Sequence, residues 1–416
     1  MKLLKTLAVT AASAIFTLSL ATPAVAETSV KTKYPVILAH GMAGWDSLAG
    51  YPYFGDDWGT PALKGCSSIF SINCNSWVPS DQKWAAFQVT SLAGSEVRGL
   101  QLADQVESYM ATNGVAYVNM VGHSQGGFDI RKAAHVLKAR KGYAVTKDLI
   151  SISSPHRGTP YAKKILDMYS RNNGQTLCWN LPWDGTQGND PCGVLVGKIA
   201  DSLFNGLNSL SGQSYISYRN SIVDAGLQLV YNDYDPNDGK ITGAKAFNQN
   251  YNLTSANGTA IASRIGSFIT GQDDINLNPI LGALHVLIGM NADGDGYCVD
   301  DCDNDGAAGQ GNGTIYDEDD DGLVGINSQQ MGTRLAYIEN DFTCAWYGCW
   351  NPLDTINTVS STGYVSNINA PSAIQMTSHD GQIYQDHLDV ISIGPDTFDE
   401  LEFYAAIANY IAAAGN

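Results

Sequence analysis

Apolar residues along the chain alternate between short continuous runs and helical repeats. The run at residues 35–39 predicts a first buried strand, and residues 84–89 predict a second. A helix is predicted to begin at Ser95 and to end before Gly114, because one face of it is apolar: Val97, Leu100, Ala103, Val106 and Met110.

The same alternation continues along the chain. Residues 116–121 predict a strand, residues 125–139 a helix and residues 149–152 another strand, and residues 398–413 predict a terminal helix. Strands that alternate with helices imply an α/β fold with a mostly parallel sheet flanked by helices. Functional side chains are then expected at the carboxyl ends of the strands.

The alternation lapses at about residues 160–290, which we interpret as a cap region. An apolar stripe at residues 194–210 predicts a helix there. A core helix facing the sheet and a helical lid insertion both explain this stripe.

The chain has 416 residues, and its first 26 have the pattern of a secretory signal peptide. Lys2 and Lys5 precede an apolar stretch, and Ala24-Val25-Ala26 resembles a cleavage site. We therefore expect a secreted protein with one catalytic domain at residues 27–416. No stretch predicts a transmembrane helix.

The net charge of −18 becomes −20 once Lys2 and Lys5 are removed, and much of it is local. Residues 291–322 contain ten Asp, one Glu and no Lys or Arg. This balance argues against nucleic acid and anionic membranes as partners. The acidic residues are regularly spaced among glycines, which indicates a calcium-binding insertion.

The eight cysteines form four close pairs, and in an exported protein near-neighbour disulfides are the simplest assignment. Zinc is the competing interpretation, but the chain has no Cys-x-x-Cys. The predicted disulfides are Cys66–Cys74, Cys178–Cys192, Cys298–Cys302 and Cys344–Cys349.

An apolar strand leads directly into Gly122-His123-Ser124-Gln125-Gly126, the Gly-x-Ser-x-Gly pattern of a nucleophile elbow. Ser124 is therefore the predicted nucleophile of an ester hydrolase. The backbone N–H of Gln125 and that of Met42, after the first strand, are the predicted oxyanion donors.

The serine requires a later acid and a later histidine. The chain order leaves His379 and His387 as candidates for the base. The candidate acids are Asp317, Asp319, Asp320 and Asp321, of which Asp321 precedes a tight turn. The same acidic run also matches the start of a calcium loop, and the two roles compete.

Four blocks of the chain together resemble the secreted bacterial triacylglycerol lipases of family I, α/β-hydrolases, and in particular their foldase-dependent, calcium-containing subgroup. The blocks are residues 32–42 with Asp46, residues 95–99, residues 122–127, and residues 321–324 with 387–389. The resemblance implies Ser124 as nucleophile, Asp321 as acid and His387 as base. It also implies a lid helix at residues 194–210 and a possible foldase during export.

The family holds one structural Ca²⁺, and the resemblance implies Asp389 as one ligand and Asp301 as its partner. Here the preceding region is expanded, which suggests further calcium ligands: Asp293, Asp295, Asp303 and Asp305. The chain also lacks a cysteine for the family's long-range disulfide, since Asn327 and Ser328 stand there.

These observations predict a serine lipase that acts on acylglycerol esters at an oil–water interface. A carboxylesterase or polyester hydrolase with the same triad is the alternative within this class. A non-catalytic calcium-dependent binding protein is the alternative outside it.

Overall fold

A computed structural model describes much of the chain. The described residues are 30–42, 44, 47–48, 51–54, 79, 81–159, 161–162, 171–172, 175–176, 224–229, 243–273, 276–282, 320–338, 343–345, 348–350, 357–369, 379–391, 398 and 400–416. The predicted signal peptide, the stripe at 194–210 and the acidic residues of 291–319 lie outside them.

The described strands are short. In chain order they are β1 (Val36–Ala39), β2 (Ser47–Leu48), β3 (Tyr51–Pro52), β4 (Trp84–Ala86), β5 (Val118–His123), β6 (Thr146–Ile152), β7 (Arg171–Asn172), β8 (Gln175–Thr176), β9 (Ala262–Phe268), β10 (Gly332–Ile338), β11 (Thr343–Ala345), β12 (Gly348–Trp350) and β13 (Thr358–Val365). The helices whose bounds lie within the described residues are α1 (Ser95–Asn113), α2 (Gly126–Lys141), α3 (Gly243–Asn250) and α4 (Glu400–Ala413), with a 3₁₀ turn at Asp389–Ile391.

Seven strands form one sheet in the order β13-β10-β9-β6-β5-β1-β4. All neighbours in it are parallel except β10 and β13. The predicted mostly parallel sheet flanked by helices is therefore confirmed, and with a serine turn between β5 and α2 it is an α/β-hydrolase fold. Among the described residues, no helix is long and apolar enough to cross a membrane.

Successive residues of β1 face opposite sides of the sheet, and both sides are covered. Val36 and Leu38 pack with α4, whereas Ile37 and Ala39 pack with α1 and α2. A strand buried on both faces must be apolar throughout, which explains its continuous run. Burying each large side chain stabilises the fold by about 1.5–3 kcal/mol.

Strand β9 lies in the middle of the sheet, although its residues fall within the segment that we interpreted as a cap. Its sequence is not a continuous apolar run, since it contains Ser263, Arg264, Gly266 and Ser267. Arg264 is accommodated because it pairs with Asp148 of β6 at 2.6 Å.

Cys344 and Cys349 face each other in the register of the β11–β12 hairpin. A disulfide between them stays a prediction. The other three predicted pairs lie outside the described residues.

Candidate active site

Ser124 occupies a sharp turn between β5 and α2. Its φ is +54°. Among the described non-glycine residues, only Ser153 also has a positive φ. A Cβ on Gly122 would lie 2.4 Å from the carbonyl oxygen of Gly126, and a Cβ on Gly126 would lie 2.2 Å from that of Ala39. Only glycine fits these two positions, and the turn presents Ser124 at the N-terminus of α2, where the helix dipole favours negative charge.

The late histidine and the acid meet at this serine. His387 Nε2 lies 2.8 Å from Ser124 Oγ, and His387 Nδ1 lies 2.8 Å from Asp321 Oδ2. All three are neighbours although 263 residues separate Ser124 from His387. The imidazole is therefore placed to accept the serine proton while the carboxylate fixes its tautomer.

Hydrogen bonds hold both oxygens of the Asp321 carboxylate. Oδ1 accepts the backbone N–H groups of Leu323 and Val324, and Oδ2 accepts bonds from Thr270 Oγ1 at 2.8 Å and Gln329 Nε2 at 3.2 Å. The side chain is fully buried. These donors fix the orientation of the carboxylate and aim Oδ2 at the imidazole.

The other candidates from the sequence have different positions. His379 bonds Gln382 through Nδ1 at 2.8 Å, and Asp320 accepts the N–H of Gly322. Asp317 and Asp319 lie outside the described residues. Of the candidates that the structure describes, it places only His387 and Asp321 at Ser124.

The loop after β1 passes beside the serine. The carbonyl oxygen of Gly41 accepts bonds from Arg98 Nη2 at 3.0 Å, His40 Nδ1 at 2.9 Å and the N–H of Gly44 at 3.2 Å. In a trans peptide the N–H points opposite to the C=O, so the N–H of Met42 points away from these donors. In the part of the chain that the structure describes, nothing accepts a hydrogen bond from it.

Gln125 follows the serine, and its side chain is anchored away from the turn. Its Nε2 donates to the carbonyl oxygen of Ala93 at 2.8 Å, and its backbone N–H has no described acceptor. The two N–H groups predicted to bind an oxyanion are therefore both available for one.

A buried cation supports the loop after β1. Arg98 is fully buried, pairs with the equally buried Asp129 at 2.8 Å, and donates to the carbonyl oxygen of His40 at 2.6 Å. Burial, reinforced by the charge of Arg98, lowers the pKa of His40 from 6.5 to about 3. His40 is therefore neutral, and it donates through Nδ1 to the Gly41 carbonyl.

Two further carboxylates lie beside His387 in the chain. Asp386 accepts the N–H groups of Leu388 and Asp389, and Asp389 Oδ2 accepts the N–H of Asp386 at 3.0 Å. Both side chains are buried. Among the described residues, no three His, Cys, Asp or Glu side chains form a cluster that could hold a metal. The other predicted ligands lie outside the described residues: Asp293, Asp295, Asp301, Asp303 and Asp305.

Sequence reasoning assigned no role to Thr270, Gln329, Tyr53 or Arg98. Arg98 carried a signal, because a charged residue shares a helix face with apolar Leu102, Val106 and Met110. Thr270 and Gln329 carried none, since each is an ordinary polar residue until the fold brings it to Asp321.

No family model matches the chain. Over 135 residues it is 35% identical to a triacylglycerol lipase of Vibrio cholerae, a match that covers 32% of this chain and 36% of that protein. Over 143 residues it is 30% identical to a triacylglycerol lipase of Burkholderia plantarii, covering 34% and 35% respectively. The matches thus span little more than a third of these curated relatives.

Among solved structures, the chain is similar to a metagenomic carboxyl esterase, with a TM-score of 0.39 and 11% identity over 93% of this chain and 78% of that one. It is also similar to a Bacillus licheniformis lipase in its mature form, with a TM-score of 0.31 and 14% identity over 64% and 79%. Likeness at this level supports no conclusion about function. The sequence similarity is to proteins named triacylglycerol lipase, over about a third of this chain.

Proposed function

We propose that this protein is a secreted serine lipase that hydrolyses acylglycerol esters through an acyl-enzyme. The observation that carries the proposal is the hydrogen-bonded chain from Ser124 through His387 to Asp321 at the turn after β5. The name of the curated relatives, triacylglycerol lipase, favours lipid esters as the substrate class.

In the acylation step, Ser124 Oγ attacks the ester carbonyl carbon while His387 Nε2 accepts the hydroxyl proton. The carbonyl oxygen becomes an oxyanion, and the N–H groups of Met42 and Gln125 bind it. The intermediate collapses, the bond to the alkoxide breaks, and the imidazolium of His387 gives its proton to the leaving alcohol. Asp321 stabilises that imidazolium and keeps Nδ1 protonated.

In the deacylation step, water takes the place of the alcohol. His387 accepts a proton from the water as it attacks the acyl carbon, and returns that proton to Ser124 Oγ as the carboxylic acid leaves. The serine and the imidazole return to their starting states.

Ser124→Ala tests the nucleophile. We expect the pure variant to fold like the wild type and to lose ester hydrolysis, leaving a small residual rate. Undiminished hydrolysis in the variant excludes Ser124. A folded but inactive wild type favours the non-catalytic binding protein instead.

Substrate class is tested by comparing an emulsified long-chain triglyceride with soluble short-chain esters. We expect hydrolysis of the emulsion, because the relatives are named for that substrate. Activity confined to soluble esters assigns the protein to the carboxylesterases or polyester hydrolases.

We also propose a structural calcium ion, with Asp389 as one ligand and Asp301 and its neighbours in the acidic insertion as the others. The carboxylates of Asp386 and Asp389 are buried and each accepts the backbone N–H of the other residue, which fits this assignment because a cation offsets the cost of burying negative charge. Bound calcium should raise the melting temperature by mass action. Chelation that changes neither melting temperature nor activity removes the metal from the proposal.

Export by the N-terminal segment and assisted folding by a foldase complete the proposal. Folding of the mature chain to full activity without any partner excludes the foldase.

A further inference from the structure

One hydrogen-bonded chain joins the loop after β1 to the loop that carries His387. The N–H of Gly41 donates to Tyr53 Oη at 3.0 Å, and Tyr53 Oη lies 2.7 Å from His123 Nδ1. At the other side of the ring, His123 Nε2 lies 3.0 Å from the carbonyl oxygen of His387. Tyr53, His123 and His387 are all buried.

The direction of every bond in this chain is determined. A carbonyl oxygen only accepts, so Nε2 of His123 carries a proton and donates to the His387 carbonyl. Burial, and then the nearby His387, lower the pKa of His123 well below its ordinary value. The ring is therefore neutral, Nδ1 accepts, and Tyr53 donates its hydroxyl proton to it while accepting from Gly41.

Both ends of the chain lie against reacting groups. A Cβ on Gly41 would lie 2.7 Å from Ser124 Cβ and 3.2 Å from Ser124 Oγ. Arg98 holds the Gly41 carbonyl, and Tyr53 holds the Gly41 N–H, so both flanking peptides of this loop residue are fixed. The rings of His123 and His387 are 4.8 Å apart, so a neutral His123 adds no charge beside the base.

We propose that Tyr53 and His123 are positioning residues that lock the oxyanion loop and the backbone of His387 to each other. The inference rests on the proposed function, since it concerns the same site. Tyr53 acts through its hydrogen bond to the Gly41 N–H, and we term this bond the loop arm. His123 acts through its hydrogen bond to the His387 carbonyl, and we term this bond the base arm.

The two arms affect different parts of acylation. Loosening the loop arm weakens oxyanion binding, which every ester needs. Loosening the base arm also impairs protonation of the leaving group, which an ethyl ester needs and a p-nitrophenyl ester does not. The ratio of kcat/KM between p-nitrophenyl butyrate and ethyl butyrate therefore reports the base arm.

Tyr53→Phe tests the loop arm, because it removes one hydroxyl. We expect kcat to fall about tenfold on both esters, less than the 100- to 1000-fold effect of deleting an oxyanion donor itself. KM should change less than about twofold, because the loop binds the transition state rather than the ground state.

His123→Asn and His123→Gln test the base arm as a matched pair. An Asn amide reaches only the position of Nδ1, whereas a Gln amide nitrogen reaches that of Nε2 and can donate to the His387 carbonyl. We expect His123→Asn to lower kcat/KM for ethyl butyrate at least about fivefold more than kcat/KM for p-nitrophenyl butyrate. His123→Gln should have the wild-type ratio of kcat/KM between the two esters.

Tyr404→Phe is the matched control, since Tyr404 is also buried and its hydroxyl donates to the carbonyl of Val390 at 3.2 Å, outside the chain of bonds described above. It should lower the melting temperature about as much as Tyr53→Phe and leave the kinetics unchanged. If Tyr53→Phe does not fold, the His123 pair carries the test alone.

The inference is overturned if folded Tyr53→Phe has the kinetics of Tyr404→Phe, or if His123→Gln and His123→Asn give the same ester ratio. Ser124→Ala, assayed in parallel, separates failure of this inference from failure of the proposed function. An active Ser124→Ala rejects the proposed function, whereas an inactive Ser124→Ala beside unaffected Tyr53 and His123 variants rejects only this inference.

Discussion

Replacing Arg98 with methionine removes a buried cation that serves both stability and the oxyanion loop. The guanidinium pairs with Asp129 and donates to the carbonyl oxygens of His40 and Gly41. Neither Arg98 nor Asp129 has any exposed side-chain surface. Methionine fills a similar volume but leaves the Asp129 carboxylate without its cation, and it removes the guanidinium donor from the carbonyls of His40 and Gly41.

The expected loss is large because Asp129 stays buried without its partner. Breaking a buried ion pair in this way lowers the free energy of unfolding by about 3–5 kcal/mol. Burial already raises the pKa of Asp129, and Arg98 opposes that rise. A carboxyl with a raised pKa in the folded state destabilises the protein as the pH rises through the range above its ordinary pKa. The loss in Arg98→Met should therefore be largest at neutral pH and smaller at acidic pH.

The double variant Arg98→Met, Asp129→Asn separates the two roles. Asparagine carries no charge, so most of the lost stability should return, measured by urea unfolding at pH 7. Ester hydrolysis should stay at least about tenfold below wild type, because the Gly41 carbonyl still lacks the guanidinium, one of its three donors, and the Met42 N–H is held less firmly. Recovery of activity together with stability would refute the role of Arg98 in the loop.

Three further predictions concern the triad, the serine turn and a buried histidine. Asp321→Asn should lower kcat about 10⁴-fold with little change in KM, because the amide favours the wrong tautomer of the imidazole; a loss below tenfold in steady-state assays contradicts the assignment. Gly126→Ala should destabilise by at least about 3 kcal/mol, since its Cβ would lie 2.2 Å from a backbone oxygen. Gly142→Ala, with φ +79° in open space, should destabilise by only about 1–2 kcal/mol; equal melting temperatures of the two variants contradict this reasoning. The pKa of His40 is lowered to about 3 in the folded protein, so the unfolded chain takes up the proton first as the pH falls. The free energy of unfolding should therefore fall by about 3 kcal/mol between pH 7 and pH 4.5. Urea unfolding of His40→Gln should show a correspondingly flatter pH dependence, and an unchanged slope contradicts it.

The elements around the serine were predictable because their sequence signals are local. The helix from Ser95 ends as expected before Gly114, whose φ is +63°, and the strand before Ser124 and the helix after it both form. Periodicity detected α1 although Val97 and Leu100 of the predicted apolar face are exposed and Arg98 is buried. It missed β9, where Arg264 is held by Asp148 on the neighbouring strand.

The chain order by itself limited the base to two histidines and the acid to four aspartates. The resemblance favoured His387 and Asp321, and the fold places both at Ser124. Sequence could not find Thr270 and Gln329, which bond Asp321 from positions 51 and 8 residues away.

The sequence alone therefore determined where the chain turns at Ser124, since Gly122 avoids a clash with Gly126 only four residues further along the chain. Tertiary structure alone decided which polar groups surround the site: the bonds of Arg98 to Gly41 and of Tyr53 to His123 join segments far apart in the chain. Such contacts depend on how strands are ordered in the sheet, and no local pattern of residues records that order.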